Sequence, residues 1–502
     1  MVGASAPFTV VCWGLVLAGW WWARHPPASV SRGWPTIPLL LAITAAAVTL
    51  SAGHLADGVV DTMDFEDYCA GTASFRHLDV PMWPQRRARL AGAPAGLLVN
   101  WLGVVDALSL SAIMGALMAF AGVALMGAAV MGPEAGGAAA VIALAMAPIA
   151  VLPRTLTWYP VMVGGLTLAS GIVAQAAVHD RSRVWFLAGL SAAAACPLLD
   201  LRGILWGGAL FMVLIGASLQ NPRRKQRLGL VAVSAVASWL AGPLSYPVDA
   251  MPLEQQVWQA VHLDSYAAQQ VGGSSRLPDF PTATVWGRSP PQQLPQGLRI
   301  AASISREGYE QSDRYTLSAA QVAAWWAPLL FGVGMTGWRL RRRGKRLMIL
   351  IAVSAPALMS WIDAVSYGRN ELRFLALGAP GVAGWIGVGI VASTGASGGR
   401  RAWGVILALA VMVLPGAPLG ADAPWRTPTL TRQQHHLNTK LMMARNRRPP
   451  RAGLGNYCVR ALIDDLDAGR GNGRIYGDLL APPGVSGPPQ GSSPGPHPPG
   501  SP

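Results

Sequence analysis

Four carboxylates fall within seven residues in the stretch DTMDFEDYC, Asp61 to Cys69: Asp61, Asp64, Glu66 and Asp67. Like charges packed this closely raise one another's pKa. Such a group suits a general base, a metal ligand or a cation clamp. The competing reading is a solvated acidic loop whose aspartates cap a helix starting near Phe65, and on the motif alone it stands slightly ahead. Charged groups recur elsewhere in short clusters. Asp200 and Arg202 sit in CPLLDLRGILW, and Asp363, Arg369, Glu371 and Arg373 in DAVSYGRNELRF. Arg86, Arg87 and Arg89 follow the acidic stretch. A local ion pair would account for Asp200 with Arg202, and arginines at a membrane surface can simply reach for lipid headgroups. Arginine is also the usual clamp for phosphate oxygens. Acids and arginines on one rim therefore match a lipid-phosphate substrate that approaches from a bilayer.

The elements that must hold these groups are apolar. The chain of 502 residues is 52% hydrophobic and 13% charged, with a mean hydropathy of +0.36, which a soluble protein of this size rarely shows. Runs long enough to cross a bilayer predict spans at 7–23, 36–53, 107–131, 137–152, 161–178, 184–199, 203–219, 228–244, 321–338, 347–362, 374–392 and 403–418. The fold class expected is an all-α polytopic membrane protein of about twelve helices. The first span lacks a basic leader and a small-residue cleavage site, so it does not read as a removable signal.

Arginine and lysine in the short loops set the orientation. ARHPPASVSRG, HDRSR, NPRRKQR, RLRRRGKR and GGRRAW all fall on one side of a twelve-span chain, which is therefore cytoplasmic. The formal charge of +15 comes partly from these anchors. Short, separated basic runs pinned between spans are a poor nucleic-acid surface, and no P-loop signature is present. Of the 24 acids, only Glu134 and Asp180 fall in predicted cytoplasmic loops. Carboxylate chemistry would thus take place outside.

The outer side is expected to carry the loops 54–93 and 245–320, with residues 1–418 forming the membrane domain. Residues 419–480 form a small extracytoplasmic segment in which 456–478 read as a helix and a strand. Residues 481–502 are a disordered Pro/Gly tail. Of four cysteines, Cys12 and Cys196 lie in apolar spans, where cysteine is a small buried side chain. Cys69 and Cys458 fall on the outer side, which is oxidising in many cells. A Cys69–Cys458 disulfide is the expectation, with two unrelated free thiols as the competing reading.

The many-span topology, the acidic stretch in the first large outer loop and the late segment RNELRFLALGAPGVAGW resemble the GT-C superfamily of membrane glycosyltransferases. Protein O-mannosyltransferases, the aminoarabinose transferase that modifies lipid A and mycobacterial arabinosyltransferases belong to it. The family's Asp/Glu motif is matched by Asp64 and Tyr68 of DFEDY, and its Arg-aromatic-x5-Pro pattern by Arg373, Phe374 and Pro380. The acidic motif here follows the second predicted span, where the family usually has it after the first, and LDVPMWPQRRARLAG replaces the family's R-x-P-P-L-Y-P segment. The resemblance implies transfer of a sugar from a polyprenyl-phosphate donor to a lipid, glycan or protein acceptor on the outer face of the plasma (inner) membrane. It implies Asp64, Glu66 and Asp67 as the catalytic acids, with Asp64 or Asp67 taking the acceptor proton. Arg202, Arg369 and Arg373 would stabilise the leaving phosphate. Four nearby acids could also hold a divalent metal, which some relatives use. The rival classes are a transporter or flippase, which would more often bury charge at mid-membrane, and a non-catalytic membrane assembly protein.

Overall fold

The structure, a computed structural model, describes residues 65–77, 89–150, 152–200, 202–244, 325–366, 372–393, 440–447 and 454–470. Along these residues the chain forms α1 (Phe65–His77), α2 (Arg89–Leu102), α3 (Val104–Met131), α4 (Pro133–Ala145) and a short α5 (Ala147–Ala150). A 3-10 turn at Leu152–Arg154 follows, then α6 (Tyr159–Val178), α7 (Arg183–Leu199), α8 (Gly203–Leu219) and α9 (Arg224–Leu244). The remaining helices are α10 (Trp326–Leu340), α11 (Gly344–Ser366), α12 (Leu372–Ser393) and α13 (Leu454–Asp467). No strand runs among the described residues.

Each expected span within the described residues coincides with a helix to within a few residues, except 137–152. There α4 stops at Ala145, Met146 turns to extended backbone (φ −84°, ψ 113°), and the chain restarts as α5 and the 3-10 turn. Pro148 and Pro153 explain the break, because proline removes an N–H and disfavours helix in the residue before it. The spans at 7–23, 36–53 and 403–418, and the strand expected within 456–478, lie outside the described residues. Val104–Met131, Tyr159–Val178, Gly344–Ile362 and Leu375–Ser393 are long and apolar enough to cross a membrane, while Pro133–Leu144, Arg183–Leu199 and Gly203–Leu219 are apolar but shorter. The molecule is a multi-pass membrane protein.

Helices α3 and α6 form the central seam. Gly164 on α6 lies so close to the Gly115 carbonyl on α3 that a Cβ there would clash with the backbone. Small residues of this kind let membrane helices pack backbone to backbone. On the far side, α12 packs against α3, α4, α10 and α11, and its segment 375–392 is wholly enclosed. Buried indole N–H groups find hydroxyl partners on neighbouring helices, as an apolar interior requires. Trp206 donates to Ser170 at 2.8 Å, and Trp385 to Ser354 at 2.8 Å.

One end of the bundle is basic and tied together by Asp180, between α6 and α7. Its carbonyl accepts from Asn221 at 2.8 Å and from Arg227 at 2.5 Å. Its carboxylate pairs with Lys345 at 2.8 Å, and Arg346 donates to the Val130 carbonyl at 3.1 Å. The loops HDRSR, NPRRKQR and RLRRRGKR thus share one end. Antiparallel alternation then sends Tyr159, Leu199, Gly203 and Leu372 to the opposite end.

Candidate functional site

The stretch 65–77, expected within an outer loop with a helix starting near Phe65, folds as α1, which starts at Phe65. Its buried face is Phe65, Tyr68, Cys69 and Thr72, at the i, i+3, i+4, i+7 spacing of a packed helix. Glu66 and Asp67 occupy the first turn, immediately before Tyr68, where the helix dipole favours negative charge.

Tyr68 faces a small cleft lined also by Ala91, Trp158, Tyr159, Met162, Leu199 and Asp200. The Tyr68 and Trp158 rings meet edge to face, with centroids 5.5 Å apart. Trp158 is buried, and its Nε1 donates to Thr72 Oγ1 at 3.0 Å. This bond fixes α1 against the segment that leads into α6. Pro160 in the first turn of α6 helps place Trp158 and Tyr159 at the helix mouth, since proline suits a helix start.

Asp200 closes the cleft from the tight turn between α7 and α8. It is 3% exposed, and its Oδ1 accepts the Arg202 backbone N–H at 2.9 Å, a side-chain turn that starts α8. The Gly203 N–H donates to the Asp200 carbonyl at 2.9 Å. Arg202 Nη1 lies 3.4 Å from the Tyr159 hydroxyl, to which it donates. A carboxylate, a guanidinium and three aromatic rings therefore meet at one mouth of the bundle. That set can orient hydroxyl groups, neutralise an anion and stack on an apolar or sugar face.

The sequence-predicted residues divide as follows. Arg202 stands at this mouth. Glu66 and Asp67 lie on the helix that borders it, though their side chains are not among the described parts. Arg373 falls in the first turn of α12, at the same end of the bundle, and its side chain is likewise not described. Asp64 and Arg369 lie outside the described residues. Among the described residues, no three His, Cys, Asp or Glu side chains converge as a metal site would need. Sequence reasoning passed over Thr72, Trp158 and Tyr159. The signal was the aromatic pair in TWYP, directly before a helix-starting proline.

The C-terminal segment docks here too. Cys69 of α1 and Cys458 of α13 form a disulfide with Cα atoms 5.3 Å apart, inside the reach of such a bridge. Seven residues further along each helix, Arg76 and Asp465 form an ion pair. Asp465 is completely buried. It accepts the Val104 N–H at 2.7 Å and Arg470 Nε at 3.0 Å. Gly103, with φ +82°, sits beneath it, and a Cβ there would approach Asp465 Oδ2 to 3.0 Å. Positive φ and close approach both select glycine at this junction.

The sequence matches no protein-family model and no curated protein. The three-dimensional arrangement does match solved structures. One is the Archaeoglobus fulgidus oligosaccharyltransferase in complex with Zn and sulfate, at 16% identity and TM-score 0.53, covering 84% of this chain and 57% of that one. Another is the same archaeal enzyme, AglB, in complex with an inhibitory peptide and a dolichol-phosphate, at 14% identity and TM-score 0.51, covering 83% and 59%. A third is ArnT from Cupriavidus metallidurans bound to undecaprenyl phosphate, at 13% identity and TM-score 0.45, covering 90% and 76%. The fold is that of the GT-C glycosyltransferases. The chain spans 57–59% of the length of the oligosaccharyltransferase.

Proposed function

We propose that this chain is an integral-membrane glycosyltransferase that moves a sugar from a polyprenyl-phosphate-linked donor to a lipid, glycan or protein acceptor on the extracytoplasmic face. One observation carries the reading: on a GT-C fold, the helix of the acidic stretch and the Asp200–Arg202 turn border the same cleft, at the end opposite the basic loops. The basic end is then cytoplasmic, and the cleft opens outward. Fold alone does not assign chemistry; the acids and arginines named for the site support this reading.

In the reaction, the acceptor hydroxyl attacks the anomeric carbon and loses its proton to a carboxylate, Asp64 or Asp67. The bond to the phosphate oxygen breaks as the new glycosidic bond forms. Negative charge gathers on the leaving polyprenyl phosphate, where Arg202, Arg369 and Arg373 stabilise it. The apolar spans hold the prenyl chain. The dolichol-phosphate carried by the AglB structure is a lipid of this class.

The test is transfer from a radiolabelled polyprenyl-phosphate sugar in membranes. Asp64→Asn should abolish transfer at normal membrane levels, while Asp57→Asn should matter less. Full transfer by Asp64→Asn removes that residue as base and moves the role to Asp67. Unchanged transfer when both are substituted refutes the acid motif as catalytic.

A further inference from the structure

The two contacts between α1 and α13 have the same spacing on both helices. Cys69 pairs with Cys458 and Arg76 with Asp465. Both steps are seven residues in the same direction, so the helices lie parallel and in register, with the contacts about 10.5 Å apart along the axis. One bridge alone leaves a helix free to swing about it. A second contact two turns away removes that freedom.

We propose that this pair is a two-point clasp that positions α1, which makes Asp465 a positioning residue for the reaction under "Proposed function", the reading on which the inference rests. Glu66 and Asp67 lie three and two residues before the covalent point, so any swing of α1 moves them directly. Asp465 also receives the first N–H of α3, and Arg76 donates to the Val99 carbonyl at 3.0 Å. The clasp thereby ties α1 to the α2–α3 junction as well as to α13. Burial makes the ionic half unforgiving. The Arg76 side chain is 7% exposed, and its Nε and Nη1 have no hydrogen-bond partner among the described residues. Removing the Asp465 carboxylate strands a buried cation, which drives the arginine to seek water and shifts α1. Cys458, Val459, Leu462 and Asp465 form the inward face of α13, while Tyr457, Arg460, Asp464 and Asp467 point outward.

The test uses the full-length protein in membranes and compares Asp465→Asn, Asp465→Glu and Cys458→Ala. Transfer is followed beside binding of polyprenyl phosphate and, for the two Asp465 variants, the rate at which a reduced Cys69–Cys458 pair re-oxidises, read by maleimide gel shift. Misplacing a catalytic group by about 1 Å can cost about 100-fold in rate. Asp465→Asn should therefore lower transfer on that scale while polyprenyl-phosphate binding holds, and should slow re-oxidation. Asp465→Glu, which keeps the charge, should recover part of both, and Cys458→Ala should also lower transfer with binding intact. Wild-type transfer by Asp465→Asn overturns the positioning role, and an unchanged re-oxidation rate overturns the clasp. If the wild-type chain transfers no sugar, the functional reading fails on its own, and the re-oxidation rate still decides whether the clasp exists.

Discussion

The bond between Trp158 and Thr72 joins α1 to the mouth of α6, and its energy can be isolated. Both side chains are buried, Thr72 completely, and the Nε1–Oγ1 distance is 3.0 Å. Trp158→Phe keeps an aromatic ring against Tyr68 and Phe75 but leaves the Thr72 hydroxyl without its donor. Thr72→Val keeps the shape but leaves the indole N–H without this acceptor. Each orphaned group costs roughly 1–3 kcal/mol, whereas removing both partners is nearly neutral for the hydrogen bond itself. The double variant should therefore be less destabilised than the sum of the singles by about 2–6 kcal/mol. Reversible unfolding of the four proteins in mixed micelles, followed by far-UV circular dichroism, closes the cycle. Additivity to within about 0.5 kcal/mol, the scatter of independent sites, would refute the coupling and the anchoring of α1 argued from it.

Other substitutions have equally definite outcomes. At the α3–α6 seam, Gly164→Ala should destabilise by about 1–3 kcal/mol through overpacking, because the new methyl meets the Gly115 carbonyl. Gly216→Ala on α8, with nothing within 4 Å, should be neutral or stabilising by up to about 1 kcal/mol; the same unfolding assay reads both. At the basic end, Asn221→Ala should cost about 1–3 kcal/mol, since Asn221 is buried and bonds both the Asp180 carbonyl and the Arg223 N–H. Lys345→Ala, losing an exposed ion pair, should cost under about 1 kcal/mol. For orientation, a single cysteine placed at Ser275 should react with a membrane-impermeant maleimide from outside; labelling only from the cytoplasmic side would invert the topology.

The spans were legible because continuous apolar runs have few other uses. Leu375–Ile390, which is buried throughout, shows in the sequence as one unbroken stretch. The break near Met146 was written in Pro148 and Pro153 but hidden by the hydropathy around them. Helix α1 was harder. Its start near Phe65 was expected, but its acids dominate the local composition and mask positions 65, 68, 69 and 72, which bury one face. Arg202 and Asp200 stood out as charges at a tight turn, whereas their meeting with Tyr159 and Trp158 depends on how α6, α7 and α8 converge. Asp465 could not be singled out from its neighbours Asp464 and Asp467. Its role comes from a partner 389 residues away, although its distance of seven from Cys458, repeated between Cys69 and Arg76, was there to be seen.

The clasp joins residues separated by 389 positions, and this has a consequence for synthesis. At about 5–20 residues per second, α13 leaves the ribosome roughly 20–80 s after α1. During that interval Cys69 and Arg76 lack the partners that α13 supplies. Helix α1, the first described element to be made, is thus among the last to be fixed in place. A chain truncated before Cys458 carries α1 to α12 and lacks both partners that α13 supplies to α1, so the fixing of α1 waits for the C-terminal segment.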